Sequence, residues 1–319
     1  MYDESKVMSF TLTDEQRAIR RAARDFAENE IAPVAREYDE NHTYPSDVIA
    51  MAAEYDFAAR TVPVEYGGAG MDVVSSVGVT EELWRGDPGI ANAIDGVAFT
   101  TNVSLLERYG DEWMCEEWFP KFVSADALAA IAISEPSHGS DIGGIETRAE
   151  RDGDQWVLNG AKTWISNGTK ADVVIVVAKT DPGEGHRGLS CFLVPTKTDG
   201  YEAERIENKL GLHASDLADV HLDDVTVPAD NLVGEENRGF YHLMDVLAPG
   251  RVEVAAQAVG TAQAALDAAV SYATEREQFD RFISEFQAVR HTIAEMETAV
   301  EAGRSLTYRA AARCDEGAE

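Results

Sequence analysis

The sequence predicts an α+β chain: an N-terminal helical domain, a central β-barrel or sandwich, and a C-terminal helical bundle that is incomplete. Three observations predict it. Apolar residues recur at helical spacing up to about Ala127. From Leu128 to Arg238 short β-branched runs alternate with turn residues. After Gly239 two long, alanine-rich stretches carry apolar stripes of the kind that belong in a bundle of at least four helices. The expected domains are 1–127, 128–238 and 239–319.

Thr13-Asp14-Glu15-Gln16 is a capping box, because Thr13 can cap and Gln16 sits three residues later. Behind it Ala18, Ile19, Ala22, Ala23, Phe26 and Ala27 form one stripe. Pro33 should end or kink that helix, and Pro45 should open another through Val48, Ile49 and Ala52. Residues 62–70 are too rich in glycine for a regular element. Helical patterning resumes over 75–85 and 91–109. The strands expected next are 128–133, then 148–150 and 155–158 flanking an Asp152-Gly153 hairpin turn. Residues 173–178 are a continuous β-branched run, so that strand should be buried on both faces. Residues 189–194 and 220–227 are stopped by Pro195 and Pro228. The two long helices should span 240–274, interrupted at Pro249-Gly250, and 284–313.

The chain carries 27 Lys+Arg against 58 Asp+Glu, a formal charge of −31. That excludes a nucleic-acid partner, which needs clustered cations, and equally an anionic membrane surface. Only seven of the basic residues are lysine, and the acids are dispersed. Such a surface resembles proteins of salt-loving organisms, where salt screens self-repulsion. Cys115, Cys191 and Cys314 have no metal-ligand spacing, so no metal is expected and a reducing cytoplasm fits. The first ten residues lack a basic start and an apolar core, and no apolar run is long enough to span a bilayer.

Two segments carry chemistry. The first is Ala132-Ile133-Ser134-Glu135-Pro136-Ser137-His138-Gly139-Ser140-Asp141-Ile142-Gly143-Gly144, a strand end leading into small and hydroxyl residues. Small residues let a ligand approach the backbone, and hydroxyls with free N–H groups suit a phosphate or a polar ring edge. Composition alone fits a plain connecting loop as well. The second is Gly160-Ala161-Lys162-Thr163-Trp164-Ile165-Ser166-Asn167-Gly168.

Together these strings resemble two motifs of the acyl-CoA dehydrogenase family. The resemblance extends over essentially the whole chain, through residues 62–68, Lys209-Leu210-Gly211, Asn231-Leu232-Val233-Gly234, Arg251, Arg276 and Phe286-Gln287. It implies an FAD enzyme that oxidises an acyl-CoA to the trans-2-enoyl-CoA and passes electrons to an electron-transferring flavoprotein. It also implies roles. Ile131, Ala132, Ile133 and Ser134 would line the flavin. Gly139 and Ser140 would stand at its pyrophosphate, with Ser140 also reaching the acyl-CoA. Trp164, Ile165 and Ser166 would cover the ring and its N5 edge. Arg276, Phe286 and Gln287 would reach the FAD of a neighbouring subunit in a tetramer or dimer. Arg251 would open the long helix beside the thioester, or pair with Asp245 or Glu253.

The resemblance breaks in one respect. The family's usual base is a glutamate in a Tyr-Glu-Gly-Thr-like segment near the C-terminus, and the 319 residues end before one. A minority of members place the base just before the helix-opening arginine, where this chain has Gly250. The expectation is a truncated, inactive or nearly inactive dehydrogenase with exposed apolar helix faces. The alternatives are a same-fold acyl-CoA oxidase, a nitroalkane-oxidising or DNA-damage-linked relative, or a catalytically dead flavin- or CoA-binding fragment. Smaller departures from the pattern are His138, His213, Ala248 and Asp280.

Overall fold

The computed structural model describes residues 11–97 and 100–317. Among them the helices are α1 (Asp14–Phe26), α2 (Ala35–Asn41), α3 (Ser46–Glu54), α4 (Val73–Gly86), α5 (Pro88–Asp95), α6 (Thr100–Tyr109), α7 (Glu112–Val123), α8 (Gly239–Glu275) and α9 (Gln287–Asp315). The strands are β1 (Ala129–Ala132), β2 (Arg148–Asp152), β3 (Gln155–Ser166), β4 (Val173–Lys179), β5 (Leu189–Pro195), β6 (Tyr201–Arg205), β7 (Leu217–Pro228), β8 (Leu232–Val233), β9 (Glu277–Gln278) and β10 (Arg281–Phe282). Mixed helix and sheet in this order is the architecture the pattern predicts. The single helical stretch expected over 91–109 is α5 and α6, with residues 98 and 99 outside the described set.

The described residues fall into two compact units whose chain segments interleave. One takes its residues from Met1–Pro33, Asp72–Pro88 and Arg251–Glu319. The other takes Val34–Met71 and Gly89–Gly250.

The first unit is helical. The Gln16 N–H donates to Thr13 Oγ1 at 3.1 Å, and the Thr13 N–H donates to Gln16 Oε1 at 3.0 Å, so the capping box forms as read. Helix α1 ends ahead of Pro33, in a π-turn over Ala27–Ile31. Helix α4 is buried along nearly its whole length, including Glu81 and Glu82. Those carboxylates are tolerated because arginines meet them: Arg20 lies 2.8 Å from Glu81 and 2.7 Å from Glu82, Arg24 2.7 Å from Glu82, and Arg304 2.8 Å from Glu81. Burial alone would raise Glu82, but the guanidinium groups of Arg24 and Arg20 hold it below the usual carboxylate range. The forked guanidinium can serve two carboxylates at once, which a lysine does less well.

Helix α8 runs unbroken through Pro249, where an interruption was expected. A proline inside a helix removes one i→i−4 bond. Here packing on both sides of it outweighs that loss: Leu243 and Val246 are buried before it, Ala256 and Leu266 after. The turn between β9 and β10 holds Phe279 and Asp280 at φ 56° and 58°. Two positive φ values in a two-residue hairpin turn explain Asp280, since aspartate tolerates this region best after glycine and asparagine. Val254, Tyr272 and Leu306 are exposed on the long helices.

The second unit is built on a sheet of order β6-β7-β3-β2-β4-β5-β8, with β1 added parallel to β4. Strand β4 is buried at six successive positions, as its β-branched run requires. The hairpin of β2 and β3 pairs Asp152 with Gln155, so Gly153 and Asp154 are its turn residues. The turn thus falls one place later than expected, with Gly153 at its first central position and φ +63°. Strand β6 was missed because its sequence, Tyr-Glu-Ala-Glu-Arg, alternates polar residues with only half-buried partners. One face of the sheet packs on helices through Phe119, Phe122, Leu193 and Ile145. The other closes over Trp156, Phe192 and Val225. Each fully buried large apolar side chain contributes about 1.5–3 kcal/mol.

Candidate active site

The two motif segments come together at the ends of β1 and β3. Strand β1 delivers Ile131 and Ala132, and the chain leaves it through Ile133 and Ser134. The Thr163 N–H donates to the Ser134 carbonyl at 2.9 Å, which fastens this exit to β3. Glu135 and His138 then exchange backbone hydrogen bonds of 2.8 and 3.1 Å across Pro136-Ser137. This tight turn presents Gly139 and Ser140 to solvent.

Beneath the turn lies an ion pair that the sequence reading missed. Lys162 is 0 % exposed and Glu135 6 %. Their charged atoms are 2.8 Å apart. Glu135 also accepts the N–H groups of Glu146 at 2.5 Å and Thr147 at 3.0 Å, while the Lys162 ammonium donates to the Ile133 carbonyl at 3.1 Å. The signal available in the sequence was a lysine in the interior of an alternating strand. Burial pushes Lys162 down to about 8 in spite of its partner. Burial would raise Glu135, but Lys162 and the hydrogen bonds outweigh it and hold the carboxyl below its usual range.

The Lys162 shift has a definite sign. Its unfolded ammonium keeps the proton to 10.5, and its folded one releases it near 8. Between those values the unfolded chain binds more protons, so this group's contribution to stability rises with pH. The stability of the parent minus that of Lys162→Met should therefore grow as pH rises from 8 to 10. A difference that stays flat in denaturation at each pH would contradict the shift.

Just beyond Lys162 the pairing of β3 with β7 slips, so that Thr163 and Trp164 stand opposite a single residue. Trp164 sits in this bulge at φ 60° and is 62 % exposed. A bulky residue in the left-handed region costs of order 1–3 kcal/mol and persists only where its surroundings fix it. The strain holds an indole out into an open cavity of about 560 Å³. Ser166, Asn92, Lys209 and Leu217 line the same cavity, while Ile165 points the other way into the core.

Arg251, Arg276, Phe286 and Gln287 belong to the other compact unit. Arg276 and Gln287 are exposed, and Phe286 stacks edge-on with Phe279 at 6.2 Å and lies under the Arg281 guanidinium at 4.0 Å. Asp245 is engaged by Arg108 and Tyr109, both at 2.8 Å, rather than by Arg251. Glu253 accepts a hydrogen bond of 2.6 Å from Ser76. His213 bonds Asp39 and the Lys209 carbonyl, each at 2.9 Å, and stacks on His42. His138 packs against Gly144, with its Nδ1 buried and without a hydrogen-bond partner among the described residues. Nothing in the structure explains Ala248. No helix among the described residues is long and apolar enough to cross a membrane.

Three family models match in chain order: the acyl-CoA dehydrogenase N-terminal domain over residues 13–126, its middle domain over 130–225, and its C-terminal domain over 237–319. The chain belongs to the acyl-CoA dehydrogenase family. It is 39 % identical over 307 residues to the mitochondrial short-chain specific acyl-CoA dehydrogenase of Bos taurus, covering 95 % of this chain and 73 % of that one. Butyryl-CoA dehydrogenase from Megasphaera elsdenii superposes with a TM-score of 0.93 at 35 % identity, over 98 % of this chain and 82 % of that one. A glutaryl-CoA dehydrogenase from Mycobacterium smegmatis, solved in complex with FADH2, superposes with a TM-score of 0.89 at 32 % identity, over 96 % and 78 %. Both motif segments lie within the region matched by the middle-domain model.

Proposed function

We propose that this chain provides the flavin and thioester side of acyl-CoA α,β-dehydrogenation, yielding the trans-2-enoyl-CoA and passing electrons to an electron-transferring flavoprotein. The observation that carries the reading is Trp164, a strained, exposed indole beside Ser166 on the cavity that ends β3. A flat aromatic ligand fits such a feature, because an indole offers a large apolar face at little entropic cost. The donor set fits FAD as well. Ser134 and Ser166 would hydrogen-bond the ring edge, Gly139 and Ser140 would meet the pyrophosphate from their exposed turn, and Ile131, Ala132 and Ile133 would back the ring, while Ile165, turned into the core, would not face it. Bound there, FAD would supply the acceptor for the hydride leaving the carbon β to the thioester carbonyl.

The other roles fall to the helical unit. Arg251 would stand by the thioester. Arg276, Phe286 and Gln287 would complete the flavin site of a neighbouring copy in a tetramer or dimer, for which the exposed Phe279 beside them is favourable. The proton on the carbon next to the thioester needs a carboxylate base. Gly250 has no side chain for that task, and Glu253 is already bonded to Ser76. We therefore assign no base among the described residues, and the second reading, a flavin- and CoA-binding chain without turnover, rests on that. The cytoplasm is the expected compartment.

Trp164→Ala should leave folding intact and weaken FAD binding about three- to tenfold, the worth of one aromatic contact. Flavin fluorescence titration checks this, and unchanged affinity would remove Trp164 from the site. Anaerobic addition of butanoyl- or octanoyl-CoA to the FAD-loaded chain separates the two readings. Bleaching of the flavin would show turnover and a base in these residues, whereas a perturbed but unbleached spectrum fits binding alone. The dispersed acidic surface predicts a melting temperature that climbs with KCl as self-repulsion is screened, and equal melts at low and high salt would contradict a halophilic origin.

A further inference from the structure

We propose that Glu135 and Lys162 are positioning residues: their buried pair sets the geometry of the flavin cradle rather than serving chiefly to hold the fold together. This rests on the flavin reading above.

The pair is placed where it can do so. The carboxylate of Glu135 holds the N–H groups of Glu146 and Thr147 and the Lys162 ammonium. The ammonium ties in the Ile133 carbonyl. One residue further along on each side, the Thr163 N–H holds the Ser134 carbonyl. Ser134 and Trp164, the two side chains set to meet the ring, are thus each within two residues of an anchored group. Gly160 reinforces the arrangement. It has φ +155°, and a Cβ there would lie 2.4 Å from Thr147 Oγ1 and 2.7 Å from Thr147 Cα. Strand β3 is therefore pressed against the residue whose N–H Glu135 holds.

Energetics alone do not account for the pair. Two desolvated charges are commonly no better for stability than apolar residues of the same size, so a fully buried lysine needs another reason. Directional hydrogen bonds offer one. Methionine would fill the volume of Lys162, but could not fix the Ile133 carbonyl or hold the bulge at Trp164.

The test uses the full chain with Glu135→Gln/Lys162→Met, which removes both charges together. Lys162→Arg and Glu135→Asp accompany it, keeping the charges and altering the reach. The double variant should melt near the parent yet bind FAD at least tenfold more weakly. Glu135→Asp should lose affinity with its fold intact, and Lys162→Arg should recover part of it. Parent-like FAD affinity in the folded double variant, or in Glu135→Asp if the double variant does not fold, would overturn the proposal. A flavin-free readout separates this from failure of the flavin reading. The emission of Trp164, taken as the difference between each protein and its Trp164→Phe counterpart, should shift in the variants even if the parent takes up no FAD. An unshifted emission would overturn the positioning role on its own.

Discussion

Lys162→Met alone is expected to destabilise the chain by about 3–5 kcal/mol, the usual consequence of stripping a buried charge of its partner. Glu135, 6 % exposed, would retain two backbone donors but lose the Lys162 ammonium. The Ile133 carbonyl would lose a donor in the same step. Adding Glu135→Gln should restore most of the stability, because the amide can still accept from backbone and has no charge to leave unpaired. Urea denaturation of the parent, the single variant and the double variant gives the coupling directly. If the single and double variants are equally unstable, the loss comes from the volume or shape of lysine and not from the orphaned carboxylate.

Gly260→Leu should destabilise the helical unit by about 3 kcal/mol or more, at or above the upper end for overpacking. Gly260 lies on α8 where that helix crosses α4, and a Cβ there would sit 2.2 Å from the Glu81 carbonyl oxygen and 3.1 Å from the Arg85 nitrogen. Both obstacles are backbone, so no rotamer change relieves the clash. The shift would also move Glu81 and Glu82 against Arg20, Arg24 and Arg304, on whose short contacts the burial of those carboxylates depends. Alanine should show a smaller effect of the same sign. Thermal melts of the three proteins check the order, and a leucine variant as stable as the parent would mean the helices stand further apart.

Much of the fold could be read in the sequence because local and global preferences agree there. Thr13 and Gln16 close a capping box, the β-branched run of β4 is buried throughout, and Pro195 and Pro228 end their strands. The exceptions have physical causes. Pro249 is carried inside α8 by packing on both sides of it, and β6 shows too little apolar alternation to be seen. The site divides the same way. Ser134, Trp164 and Ser166 were found through their motifs, and the structure brings their segments together through the Thr163–Ser134 hydrogen bond. Glu135 and Lys162 went unassigned because they are 27 positions apart and a charged residue reads as surface. Only the pairing of β3 with its neighbours and the turn after β1 shows that they face each other inside.

Flavin content after reconstitution shows most directly whether the ends of β1 and β3 form a flavin cradle. Incubation with FAD and removal of the excess should leave a yellow protein with close to one FAD per chain, and Trp164 emission should be quenched in proportion to flavin bound. A folded chain that stays colourless at saturating FAD would rule out a flavin cradle at these strand ends.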